Sequence, residues 1–111
     1  MPGRSGGENV HAMVESIVGC KWSLQILAQI REGTRRPGAI ERSIRGLSAK
    51  VMNERLSKLS RFGILHREVF AEVPPHVEYR FTAFGERFVD ILDAISRLEE
   101  EQGPRSAKPA D

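Results

Sequence analysis

The chain has 111 residues, 40% apolar and 29% charged, with a net charge of +2. That length suits one domain with a single modest core, and one cysteine, Cys20, excludes an intrachain disulfide. The histidines His11, His66 and His76 stand far apart, so neither imidazole spacing nor a thiolate pair suggests a metal site; no cofactor is expected.

The charge is unevenly spread. From Arg31 to Arg61, nine Lys/Arg accompany three Glu, a local charge of +6 that leaves −4 for the remainder. A basic middle between acidic flanks points to a polyanionic partner; the plain alternative is a solvated surface with scattered charge. The opening "MPGRSGGENV" has no apolar run of the secretory kind, and no segment nears the roughly 20 apolar residues of a membrane span. A cytoplasmic protein with no membrane partner is expected.

Residues 1–8 are Gly-rich and read as a flexible segment; residues 103–111 read as a disordered tail. The domain is expected over residues 9–102. Val10 to Val18 makes a short helix with Val10, Met13, Val14, Ile17 and Val18 on one side. "GCK" is a joint. Trp22 to Arg31 is a second helix, with Trp22, Ile26, Leu27 and Ile30 inward and Gly33 at its end. Pro37 suits the first turn of a short third helix through Ile44. "RGLS" is a tight turn, and Ser48 caps a fourth helix through Phe62, closed by Gly63.

That fourth helix has two faces. Steps of about 100° gather Val51, Phe62, Leu59, Met52 and Leu56 in one arc. The opposite arc holds Ala49, Ser60, Asn53, Ser57, Lys50, Arg61, Glu54 and Lys58. The apolar arc needs a core, but the polar arc has no obvious partner in its own chain. Arg55 falls inside the apolar arc, where a charge must be paired or must reach outward. A structural ion pair or carbonyl contact is expected for it, with phosphate contact second.

The period then changes from 3.6 to 2. "ILHREVFA" and "HVEYRFT" flank "EVPP", with Val77, Tyr79 and Phe81 on one face and His76, Glu78 and Arg80 on the other. Thr82 caps a last helix from Ala83 to about Glu101. Its apolar positions Phe84, Phe88, Ile91, Ile95 and Leu98 are widened by Val89 and Leu92. A face that wide on a terminal helix points to a partner helix. Val89, Leu92, Ile95 and Leu98 are expected to meet their mates and the first helix of a second copy, Val10, Met13 and Val14; an intrachain core face is the alternative. The order describes a mostly α winged helix-turn-helix with a small β-hairpin, dimerising through its terminal helices. Its fourth helix is suited to the major groove of double-stranded DNA.

Five separated motifs, in order, carry a family resemblance. They lie in "GCKWSLQIL", "RRPGAIERSIRGLSAKVMNERLSKLSRFGIL" and "EVPPHVEYRFTAFGE". The chain resembles the HxlR-type transcriptional regulators, which have a Gly-Gly-Lys-Trp joint, an Arg-Arg-Phe-x-Glu-Leu helix and a Ser-x-Lys-x-Leu recognition helix. A Pro-Pro-x-Val-x-Tyr wing and a Leu-Thr-x-x-Gly helix start follow. The resemblance implies a homodimeric regulator of transcription. Many members have a Cys-Pro before the first helix, which some use to sense oxidants; the matching position here is Asn9. Cys20 replaces the second Gly of the joint, Pro37 the usual Phe, His76 a frequent wing Arg, and Phe81 a Leu.

Lys50, Asn53 and Ser57 are the candidates for reading bases, since Lys matches guanine O6/N7 and Asn matches adenine N6/N7. Ser48 caps the helix and is also placed for a phosphate. Lys58, Arg61, Arg35, Arg36 and Arg45 suit phosphates, each weighed against a plain surface charge. His76 belongs to the wing, where backbone or minor-groove proximity with little base reading is expected. Cys20 is the one redox candidate; beside Lys21 but between apolar helices, it is expected to be shielded, with desolvation opposing the thiolate, so no electrophile switch is expected. An enzyme is not expected, because His11 is nine residues from Cys20 and nothing suggests an oxyanion hole. The runner-up function is a winged helix used for protein–protein contact without a specific operator. The operator and any small-molecule effector are left unassigned.

Overall fold

The computed structural model describes residues 9–103. In chain order these form α1 (Val10–Val18), α2 (Lys21–Arg31), α3 (Pro37–Ser43), α4 (Ala49–Arg61), β1 (Leu65–Phe70), β2 (His76–Phe81) and α5 (Ala83–Gln102). The expectations for residues 1–8 and for the tail beyond Gly103 lie outside the described residues.

Side-chain caps set most helix starts. Asn9 Oδ1 accepts from the Ala12 N–H at 2.8 Å, Ser48 Oγ from Val51 at 3.1 Å and Thr82 Oγ1 from Gly85 at 2.8 Å. Each satisfies one of the N–H groups that a first turn leaves unpaired. Cys20 caps α2 in the same way, with Sγ 3.4 Å from the Ser23 nitrogen, so α2 begins at Lys21 rather than Trp22. α3 stops at Ser43 because Ile44 is extended, at φ −118° and ψ 112°.

The core sits where α1, α2, α3 and α4 converge on the hairpin and the start of α5. Met13, Ile26, Ile40, Leu56, Leu59 and Ile64 are all 0% exposed. α2 is the central element, packing against α1, α3 and α4. Between α3 and α4 the chain turns at Gly46, whose φ of +85° lies in the left-handed region; the Trp22 ring approaches within 3.5 Å of where a Cβ would stand. Leu47, 7% exposed, anchors that turn in the core.

β1 and β2 pair antiparallel from Leu65↔Phe81 to Phe70↔His76. Tyr79, on the inward face, also donates its N–H to the Arg35 carbonyl at 2.9 Å, which ties the hairpin to the α2–α3 connection. α5 starts hard against the hairpin's base. Thr82 bonds back through its N–H to the Ile64 carbonyl (3.1 Å) and through its hydroxyl to that of Gly63 (2.5 Å). At Gly85 a Cβ would lie 2.0 Å from the Ile64 carbonyl oxygen, so only glycine fits. The fold is a winged helix-turn-helix, with α3 and α4 as the helix pair and β1–β2 as the wing. Among the described residues no helix is long and apolar enough to cross a membrane.

Candidate nucleic-acid interface

The two faces of α4 separate as their residue types dictate. Met52, Leu56 and Leu59 are buried, with Phe62 just past the helix end; filling such sites is worth roughly 1.5–3 kcal/mol each. Lys50, Asn53, Glu54, Ser57 and Arg61 are exposed. Asn53, Arg55, Ser57, Lys58 and Arg61, with Glu54, surround one shallow hollow of about 460 Å³. Four of the sequence-derived DNA candidates thus share one surface.

Within this surface the charges are lightly held. Lys50 Nζ lies 3.7 Å from Glu54 Oε2, with the side chains 83% and 54% exposed. A pair that open to water is worth little and is readily exchanged for a phosphate or a base edge. Lys58 is half-buried, its ammonium 5.7 Å from the Phe62 ring centroid. It stands with Arg61 in the last turn, where cations complement the helix dipole.

Arg55 departs from expectation. It is half-buried, and its Nε is covered with no hydrogen-bond partner; no ion pair is made by it among the described residues. The expected structural ion pair is not formed among the described residues. Arg55 instead borders the hollow, and its charge acts on Cys20, the residue that caps α2.

Cys20 is also a correction. It is half-buried rather than sealed. Burial pushes its thiol up, but this is outweighed by the hydrogen bonds with Ser23, the Arg55 charge and the Trp22 N–H, and the thiol lies below its ordinary value. The sequence reading weighed Lys21 and missed both the cap and Arg55, a residue far along the chain.

The other candidates scatter. Arg36 and Arg45 are exposed on either side of α3, and Ser48 is exposed with its Oγ already accepting the Val51 N–H. Arg35 is set apart: it lines a cavity with residues of α2, β2 and α5. His76 is committed within the wing. Its ring is stacked on Phe70 at 4.6 Å and lies 3.4 Å from Glu72 and 3.3 Å from Glu78, with 14% of the side chain exposed. Burial pushes the Glu78 carboxyl up, but the bonds from Arg80 and His76 prevail and hold it below the usual carboxylate range. Val73 at the wing tip is 98% exposed, so the tip presents an apolar side chain rather than a cation.

Of the dimer candidates, Met13 is 0% exposed, Val89 6% and Leu92 8%, all enclosed by their own chain. Val10, Val14 and Ile95 are half-buried and Leu98 is exposed. Ile91, outside the predicted set, is 43% exposed; its place in the helix stripe was the available signal.

A family model described as HxlR-like helix-turn-helix matches residues 17–107. The chain belongs to the HxlR-like helix-turn-helix family. It is 38% identical over 78 residues to a protein of Synechocystis sp. named uncharacterized HTH-type transcriptional regulator sll1512, covering 70% of this chain and 58% of that protein. YtfH of Escherichia coli, named likewise, is 38% identical over 76 residues, covering 68% of this chain and 60% of YtfH. The chain therefore matches less than two thirds of the length of these relatives. A crystal structure from Enterococcus faecalis V583, described as a regulator of the MarR family, superposes with a TM-score of 0.73 at 28% identity, covering 89% of this chain and 93% of that one. The chain thus has the HxlR-like helix-turn-helix fold, and its relatives are named as HTH-type transcriptional regulators.

Proposed function

We propose that the protein binds a specific operator as a homodimer in the cytoplasm, with α4 in the major groove. The observation that carries this reading is the exposed polar face of α4, where Asn53, Ser57, Lys58 and Arg61 gather around one hollow with no carboxylate but Glu54 among them. Lys50, Asn53 and Ser57 read base edges. Ser48, Lys58, Arg61, Arg36 and Arg45 hold phosphates, and Arg55, lacking an intrachain acceptor, joins them. The wing lies along the backbone through Val73 and its prolines, and His76 supports it from within. Two copies related by a two-fold axis would place their α4 helices about 34 Å or a multiple apart on a pseudo-palindrome.

The test is selection of bound fragments from the source genome, followed by titration of the selected site and of random DNA. Asn53→Ala and Lys50→Ala are expected to cost about 1–3 kcal/mol on the selected site and to relax base preference. Arg61→Ala and Lys58→Ala are expected to weaken all DNA alike, each lowering the salt slope by about 0.9 per phosphate lost. Equal losses on selected and random DNA for all four variants would remove the reading roles. Failure to enrich any fragment would favour a protein-contact module instead.

A further inference from the structure

We propose that the cavity between α2, β2 and α5 binds a small zwitterion, an α-amino acid with an apolar side chain. This cavity, about 420 Å³, shares no residue with the hollow on α4. Its volume falls in the range of about 300–1,000 Å³ typical of small-molecule sites. Buried Ile30 and Val89, with half-buried Phe81, form an apolar floor.

The charges around that floor fall into two sets. Arg31 is held by Asp93 through two bonds of 2.8 and 2.6 Å. Arg80 is divided between Glu78 at 2.9 Å and Glu68 at 3.3 Å. Both guanidinium groups are thereby answered within the chain. Arg35, Glu86 and Asp90, which also line it, form no ion pair with any described residue. Asp90 already interacts electrostatically with Arg31, which leaves Arg35 and Glu86 as the free pair of opposite sign. The Arg35 backbone is fixed by the Tyr79 N–H at its carbonyl, so its side chain is presented from a rigid point.

Those two groups select the ligand. A guanidinium takes a carboxylate in a two-bond fork, and a carboxylate accepts from an ammonium. A simple carboxylic acid would answer Arg35 but face Glu86 and Asp90. A simple amine would leave Arg35 unanswered. A zwitterion answers both charges and sets its side chain against Ile30, Phe81 and Val89, where burial adds about 25 cal/mol per Å² of apolar surface.

The test is a titration of the full chain without DNA, followed by NMR, so its outcome is independent of the operator reading. The probes are L-leucine and L-phenylalanine, with 4-methylpentanoate as the carboxylate-only analogue and 3-methylbutylamine as the ammonium-only one. At least one amino acid is expected to shift the Ile30, Phe81 and Val89 resonances and to bind tenfold or more tightly than either analogue. Arg35→Ala and Glu86→Gln, both at exposed positions, are each expected to weaken that binding at least tenfold with an unchanged circular dichroism spectrum. Arg35→Lys, which keeps the charge but not the fork, should fall between. The proposal is overturned if neither amino acid binds, if the shifts lie elsewhere, if either analogue binds as well, or if Arg35→Ala and Glu86→Gln bind as the wild type does.

Discussion

Cys20 and Gly85 show how much one atom's surroundings decide. Burial raises the Cys20 thiol, but its hydrogen bonds with Ser23, the Arg55 charge and the Trp22 N–H together outweigh that. Alkylation of Cys20 by iodoacetamide should therefore follow a pH profile whose midpoint is lower than in the Arg55→Gln variant. Arg55→Gln should move that midpoint upward; an unchanged midpoint in that variant would remove Arg55 from the account. Gly85 is constrained by contact alone, its Cβ position falling 2.0 Å from a carbonyl oxygen. Gly85→Ala must displace either α5 or the Ile64 backbone, at a cost of about 1–3 kcal/mol or more. Gly38, in the first turn of α3, meets only the Arg42 side chain at 3.4 Å. Gly38→Ala should be neutral or stabilise by up to about 1 kcal/mol through the better helix propensity of Ala. Urea melts of the two variants should move in opposite directions or, at the least, differ by more than 1 kcal/mol (the sum of the lower limits).

Among the elements, α5 is held at its start and its middle by contacts distant in sequence. Its start is held by Thr82 to the Gly63 and Ile64 carbonyls and by the close approach of Gly85 to Ile64, and its middle is joined to the end of α2 by Arg31 and Asp93. The bonds from Arg31 hold the Asp93 carboxyl below the usual range. A carboxylate whose folded value is depressed stabilises fully above its unfolded value of about 3.9 and loses that contribution as pH falls through the folded value. Because the Arg31 and Asp93 side chains are 46% and 34% exposed, solvent screening limits the pair to about 0.2–1 kcal/mol. Asp93→Asn should therefore be less stable than wild type at pH 7, with the gap closing through the acid carboxylate range. A gap that persists unchanged into acid would mean that packing, not charge, is what the variant loses.

For the whole molecule, the unanswered feature is the apolar stripe of α5 beyond the core. Leu92 and Val89 are consumed by the chain itself, while Ile91 at 43% and Leu98 at 58% exposure face outward with half-buried Ile95. A second copy is the partner proposed for that stripe, since a two-fold pair would bring two α4 helices to one DNA. Sedimentation of the wild type should then give a dimer, and Ile91→Glu with Leu98→Glu a folded monomer with weakened operator binding. A wild-type monomer at concentrations that saturate DNA would remove the homodimer.

The sequence by itself determined the element order, the caps at Ser48 and Thr82, and the two faces of α4. Each follows from period, from a hydroxyl before an apolar run, or from a change of period at the wing, and each acts within a few residues. The tertiary structure alone decided which charges meet. Arg31 and Asp93 lie 62 residues apart, and no local pattern links them. The same holds for Arg55 beside Cys20 and for Arg35 drawn to a cavity near α5 rather than onto the α4 surface. It decided, too, that Met13 is spent inside its own chain while Ile91 is not. Periodicity tells which side of a helix is apolar, but only the packing of neighbouring elements fixes how far along that side the chain's own core extends.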